Sequence, residues 1–240
     1  YLKAAAKSLR EYNRRESLAI QQTPIYLARA FSPMTFNAYN FSTRIESERE
    51  LWRFFDSQQE FRTAHYLQTI LGDKIKTSEV EMLERVWRQY SALYDSFSRP
   101  THPLGVNAAL SLVATVRALH SLKRSDEPLS ILEIGGGSGL LAHMCSHNGW
   151  TYTNFDITQS FCVHNMAANE VLYANDFFSG TSLDIENADR KALIEKQQPV
   201  NFIPWWIFTD LNYDLPNYDV VVMNHYFFEI GKKAMLFILS

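Results

Sequence analysis

Residues 129–139 read LSILEIGGGSG, a short apolar run that ends in four glycines within five residues. The apolar run has the length and the residue types of a buried strand, and residues 140–144 read as the start of a helix. A chain that passes from a strand into a helix must turn tightly, and glycine allows that turn while it leaves main-chain N–H groups open to a ligand. We therefore predict a strand, a ligand-binding turn and a helix, with a turn able to bind an anionic group.

Strand-like and helix-like segments alternate after this turn. Strand candidates occupy residues 152–157, 201–208 and 218–224, and an amphipathic segment occupies residues 160–170. Strands separated by helices pair in parallel through right-handed crossovers. We therefore interpret residues 127–240 as a Rossmann-like, doubly wound parallel α/β domain.

The first half of the chain has a helical pattern instead. Apolar residues recur every three or four positions from Val80 to Phe97, which is typical of one face of a helix, and Ser78 with Glu81 has the spacing of a capping box. A further apolar helix is expected over residues 104–122, after a proline-rich break, and another begins near Tyr1. Residues 1–126 are therefore predicted to form a helical N-terminal domain.

Composition limits the range of functions. The chain has 240 residues, 46% of them hydrophobic, with 23 basic and 26 acidic side chains. The acidic excess lies in residues 128–240, which would repel a nucleic-acid backbone, and no apolar run reaches the ~20 residues of a membrane-spanning helix. Cys145, Cys162 and the scattered histidines lack metal-ligand spacing, so we expect no metal, no nucleic-acid or membrane partner, and a reducing, cytoplasmic environment.

Asp156 ends the second strand candidate, 19 residues after Gly137. A carboxylate there can accept two hydrogen bonds from a ribose diol, although an Asp at this position can also cap the next helix. In one frame, Gly137, Gly139 and Ala142 match the dinucleotide pattern G-x-G-x-x-A, which predicts an NAD(P)-dependent oxidoreductase. A cofactor-binding scaffold without turnover is a third reading.

In the other frame, residues 133–139 (EIGGGSG) resemble the E/D-x-G-x-G-x-G motif of the class I S-adenosylmethionine-dependent methyltransferases. The lead-in at residues 208–219 is similar to that family's approach to its fourth strand. Within the family, residues 131–139, 154–157 and 223–230 resemble the sugar O-methyltransferase group. The resemblance implies methyl transfer from S-adenosylmethionine to a small-molecule hydroxyl, such as that of a sugar, with the helical domain as lid and acceptor-site wall.

Candidate residues are assigned to two roles, the catalytic ones by their position after the last strand candidate. The candidate catalytic groups follow the last strand: His225 as a base for the acceptor hydroxyl, and Glu229 one helical turn further on as base or orienter. The candidate cofactor-binding residues are Glu133, Gly135, Gly136, Gly137, Gly139, Asp156, Asp210 and Asn224.

Few residues follow Asn224, too few for the remaining strands of a methyltransferase sheet. We therefore expect the C-terminal strands of the sheet to be missing from this sequence. The alternative is that a second copy of the chain, or another partner, completes the exposed edge, because an open edge invites pairing.

Overall fold

The computed structural model describes most of the α/β part of the chain and several segments before it. The described residues are 2–24, 44–47, 49–51, 71–72, 74–95, 106–123, 126–184, 189–208, 213–223 and 236. None of the helices among them has both the length and the apolar character that crossing a membrane requires.

In the described part of the chain, three long helices precede the sheet: α1 (Leu2–Gln22), α2 (Thr77–Asp95) and α3 (Val106–Leu122). All three were expected, but at the start of α2 only the glutamate half of a capping box is present, and it lies two residues earlier than predicted. The Glu79 carboxylate, not Glu81, accepts a hydrogen bond from the Lys76 N–H at 2.7 Å. The helix therefore begins at Thr77, because the capping glutamate defines the first turn.

The second half of the chain alternates strands and helices. Its elements are β1 (Ser130–Ile134), α4 (Leu140–His147), β2 (Thr151–Asp156), α5 (Gln159–Tyr173), β3 (Phe177–Ser179), α6 (Ala192–Glu195), β4 (Val200–Pro204), α7 (Trp205–Phe208) and β5 (Val220–Val222). Two short 3₁₀ turns, Ala174–Asp176 and Gly180–Ser182, flank β3.

The five strands form one all-parallel sheet in the order β3-β4-β2-β1-β5. The central pair is in register from Ser130 opposite Thr151 to Ile134 opposite Phe155. From β1 the chain moves outward through β2 and later returns to the other side of β1 to form β5. An all-parallel α/β sheet flanked by helices is therefore present, as predicted, and it is compatible with a Rossmann-like fold.

One strand prediction was wrong in detail, and one strand was missed. The segment 201–208 was expected to be one strand, but β4 ends at Pro204 and α7 begins at Trp205. Strand β3 was not predicted, because three residues are too few to show a period of two. It pairs with β4 at the edge of the sheet.

An apolar core covers each face of the sheet. On one face, α1 packs against α5, and Tyr12, Phe155 and Phe202 are fully buried. On the other face, α2 and α3 pack against α4. The helices that precede the sheet thus share its two cores, while the predicted division of the chain near residue 126 stays a prediction.

Candidate functional site

The glycine-rich turn lies at the carboxyl end of β1, at the edge where open parallel sheets bind ligands. Gly135, Gly137 and Gly139 have φ angles of 74°, 54° and 71°, in the left-handed region that side chains rarely adopt. Gly139 is the N-cap of α4 and offers no side chain to the first turn of that helix. The turn therefore presents main-chain groups rather than side chains.

Two of the glycines are required by close neighbours. A Cβ at position 139 would lie 2.0 Å from Asn165 Oδ1, and a Cβ at position 136 would lie 2.8 Å from both Glu133 Oε2 and Asn154 Oδ1. These separations are far below van der Waals contact. The turn is therefore packed against polar side chains of β1, β2 and α5, and a side chain at either position would displace them.

Asp156 ties the turn to the neighbouring strand. Its Oδ2 accepts a hydrogen bond from the Gly137 N–H at 3.2 Å, and its Oδ1 accepts one from the Thr158 N–H at 2.8 Å. Thr158 is the N-cap of α5, and Asp156 is only 2% exposed. In this structure the carboxylate thus organises the turn and the start of α5, and its role toward a ribose stays a prediction.

Helix α5 holds the turn from the side, a feature that the sequence analysis missed. Asn165 Nδ2 donates to the Gly137 carbonyl oxygen at 2.7 Å, the buried His164 ring lies against the main chain of Ser138, and the Phe161 ring lies beside Gly137. The signal was available, because these three residues share one face of the helix that follows Asp156. His164, one of the histidines without metal-ligand spacing, is buried and packs against the turn.

Glu133 is a buried carboxyl group beneath the turn. It is 5% exposed, and its Oε2 accepts a hydrogen bond from the Tyr152 hydroxyl at 2.5 Å. Burial raises the pKa of Glu133 to about 7, the bond from Tyr152 opposes that rise, and the negative charge of Asp156 adds to it. This carboxyl can therefore gain or lose a proton near neutral pH.

Asn154 places an amide next to the same turn. It is fully buried, and among the described residues neither its Oδ1 nor its Nδ2 has a hydrogen-bond partner. A buried amide without partners costs about 1–3 kcal/mol, a cost that a hydrogen-bonding ligand or ordered water would offset. It is a second polar group, beside Glu133, that the turn covers.

A cavity of about 130 Å³ opens between the turn and α3. The turn contributes Gly135, Gly136 and Ser138, β1 contributes Glu133, and α3 contributes Ser111 and Thr115. Main-chain groups of the turn, hydroxyl side chains and one carboxyl side chain thus line the same space. Such a cavity can hold a ligand end that carries both an anionic and a cationic group.

The structure brings six of the predicted cofactor residues together: Glu133, Gly135, Gly136, Gly137, Gly139 and Asp156. The remaining candidates lie outside the described residues. They are Asp210, Asn224, His225 and Glu229.

Comparison with protein-family models, curated proteins and solved structures finds no match for this chain.

Proposed function

We propose that this protein is an S-adenosylmethionine-dependent methyltransferase that acts on a small-molecule hydroxyl group. The observation that carries the proposal is the turn of left-handed glycines between β1 and α4, which borders a cavity together with the buried Glu133 carboxyl. A turn of this kind exposes main-chain N–H groups at the start of a helix, which are suited to the carboxylate of an amino-acid tail.

The residues present fit the amino-acid end of such a methyl donor. Its carboxylate would be held by main-chain N–H groups of the turn other than those of Gly135, Gly137 and Gly139, which donate within the protein. Its ammonium group would be held by Glu133, which lines the same cavity. The unpartnered Asn154 amide under Gly136 adds a polar group that a ligand or its water can use. Asp156 would hold the shape of the turn through the hydrogen bond that it accepts from the Gly137 N–H. Once its carboxylate is exposed to the ligand, it would also bind the ribose diol.

Charge favours a methyl donor over a dinucleotide at this turn. A pyrophosphate would bring negative charge toward Glu133 and Asp156, and the charge of Asp156 already raises the pKa of Glu133. S-adenosylmethionine itself carries two positive groups, an ammonium and a sulfonium, and only one carboxylate. Its net positive charge therefore suits an acidic site. The oxidoreductase reading is therefore the second candidate, supported by Gly137, Gly139 and Ala142.

The bound donor would supply an electrophilic methyl group on sulfur. The protein then needs to align an acceptor oxygen behind that methyl group, exclude water and accept the hydroxyl proton. We propose that His225 accepts the hydroxyl proton and that Glu229 orients His225. The helices before β1 would form the walls of the acceptor site. The sugar as acceptor rests on the resemblance of residues 131–139, 154–157 and 223–230.

Ligand-dependent melting separates the candidates. We expect S-adenosylhomocysteine to raise the melting temperature and to bind in calorimetry, whereas NADH and NADPH have no effect. Stabilisation by NADH and none by S-adenosylhomocysteine would establish the oxidoreductase reading instead. A panel of sugars and other hydroxyl compounds tests transfer of a radiolabelled methyl group. If S-adenosylhomocysteine binds but no compound is methylated, the protein is a cofactor-binding scaffold without turnover.

Asp156→Asn tests the coupling of the turn to the cofactor. The amide group cannot accept both main-chain hydrogen bonds, so S-adenosylhomocysteine affinity should fall at least about tenfold, the equivalent of one lost hydrogen bond to a charged group. The exposed Asp176, which lies in the 3₁₀ turn before β3, provides the control as Asp176→Asn. Equal affinity in the two variants would remove Asp156 from the site.

A further inference from the structure

A second cavity, of about 530 Å³, lies near the amino ends of the strands, opposite the glycine turn at their carboxyl ends. Helix α4 begins at the glycine turn and ends at His147, next to the beginning of β2, and the last turn of α4 lines this cavity. The end of α3 and the first turns of α2 form the other walls. The described residues that line this cavity are all different from those that line the cavity at the glycine turn.

The cavity has an apolar floor and a size suited to a small organic molecule. Met82, Val116 and Met144, one from each of the three helices, are buried and line it. Small-molecule sites commonly have volumes of roughly 300–1,000 Å³ and combine apolar walls with a few polar groups.

Basic side chains from all three helices and the preceding loop surround the opening. Lys76, Arg85, His120 and His147 are exposed and line the cavity. Among the described residues, neither Lys76 nor Arg85 forms an ion pair. Such a concentration of cationic and N–H donor groups attracts an anion.

The acidic group in the described lining does not neutralise this surface. Glu79 is paired with Arg117, whose Nε and Nη2 contact the two carboxylate oxygens at 2.5 and 2.7 Å. Arg117 also donates to the carbonyl oxygens of Leu71 and Lys74. This pair therefore fixes the wall of the cavity, and the other basic groups remain for a ligand.

We propose that this cavity binds a small organic phosphate. The phosphate would be held by Arg85, Lys76 and His147, and its organic part would cover the methionine floor. Arginine and lysine are the usual phosphate partners, and apolar contact adds affinity for an organic phosphate over the free ion. This site is independent of the proposed methyl transfer, since other residues line it and it lies near the amino ends of the strands.

Calorimetry at constant ionic strength, with inorganic phosphate and phenyl phosphate as probes, tests the site. We expect phenyl phosphate to bind and inorganic phosphate to bind more weakly; binding of inorganic phosphate with equal strength would overturn the organic part of the proposal. Arg85→Gln and His147→Gln should each weaken phenyl phosphate at least about tenfold.

Arg88→Gln is the matched control, because Arg88 lies on the same helix, pairs with Glu84 and is not part of the lining. Its affinity for phenyl phosphate should equal that of the parent protein. The proposal is overturned when the parent protein binds neither probe, or when the Arg85 and His147 variants bind phenyl phosphate as the parent does. Neither result bears on S-adenosylhomocysteine binding, which is measured separately.

Discussion

Asp156 at the end of β2 accepts a hydrogen bond from the Gly137 N–H, 3.2 Å away, in the turn that follows β1. Its second oxygen accepts the N–H of Thr158 at the start of α5. One carboxylate thus joins two adjacent strand ends and a helix start. The shape of the candidate site depends on this joint, and the predictions below concern the groups around it.

Gly139→Ala should destabilise the protein strongly. The new Cβ would lie 2.0 Å from Asn165 Oδ1, and φ is 71° at this position. Asn165 cannot move freely, because its amide nitrogen is bonded to the carbonyl oxygens of Gly137 and Phe161. Left-handed strain of about 1–2 kcal/mol adds to the overlap, so denaturant titration should show a loss of roughly 3 kcal/mol or more.

Gly149→Ala separates strain from overlap. Gly149 has a φ of 67°, and no atom lies within 4 Å of a Cβ there. It should lose only the strain component, about 1–2 kcal/mol. Equal losses for the two variants would show that the contact with Asn165 is unimportant.

Asn165→Leu should lower both stability and S-adenosylhomocysteine affinity. It removes two hydrogen bonds and leaves the Gly137 carbonyl oxygen without its partner, at a cost of about 1–3 kcal/mol. Asn169→Leu, one turn further on α5, is the control, because Asn169 is buried and its Nδ2 has no partner among the described residues. Denaturation should show little loss, or a gain, for Asn169→Leu; a larger loss there than at position 165 would contradict the assigned support of the turn.

Glu133→Gln should change how stability depends on pH. The pKa of Glu133 is raised by burial to about 7 in the folded protein, so the folded state binds a proton that the unfolded state has released. The stabilisation is complete below the unfolded pKa, near 4.5, and is lost as the pH rises through about 7. The difference between parent and variant should therefore change by about 3 kcal/mol across this range.

Denaturant titrations at several pH values between 4.5 and 8.5 measure that difference. The parent protein should lose stability toward high pH relative to Glu133→Gln. A constant difference across the range would mean that Glu133 titrates normally, and the proposed protonation near neutral pH would be withdrawn.

His143→Gln should reduce acid sensitivity. Burial lowers the pKa of His143 to about 4, while its Nδ1 contacts Gln89 Oε1 at 2.9 Å and the Tyr173 hydroxyl at 3.0 Å. Because the unfolded state takes up a proton near pH 6.5 and the folded state does not, stability falls as the pH drops from 6.5 to about 4. The contribution of His143 to that fall is about 3 kcal/mol.

His147→Gln, in phosphate-free buffer, is the control on the same helix. His147 is exposed, so this variant should keep the acid profile of the parent protein. Thermal unfolding between pH 4 and 7 provides the comparison. If His143→Gln keeps the parental slope, another group governs the acid response.

Local pattern was sufficient for the elements around the turn. The apolar run of β1, the glycines and the start of α4 were predictable because each depends on residues near in sequence. Strand β3 was not, since three residues become a strand only beside β4. The end of β4 at Pro204 was also missed, although proline is a frequent strand end.

The sequence by itself determined that a glycine-rich turn joins a buried strand to a helix, because glycine readily adopts the left-handed geometry found at three positions so close together. Tertiary structure alone decided what surrounds that turn: Asn165 and His164 from α5, the buried Asn154, and α3 across the cavity. These contacts join residues far apart in the chain. Their geometry depends on how the strands and helices pack, which local sequence patterns do not contain.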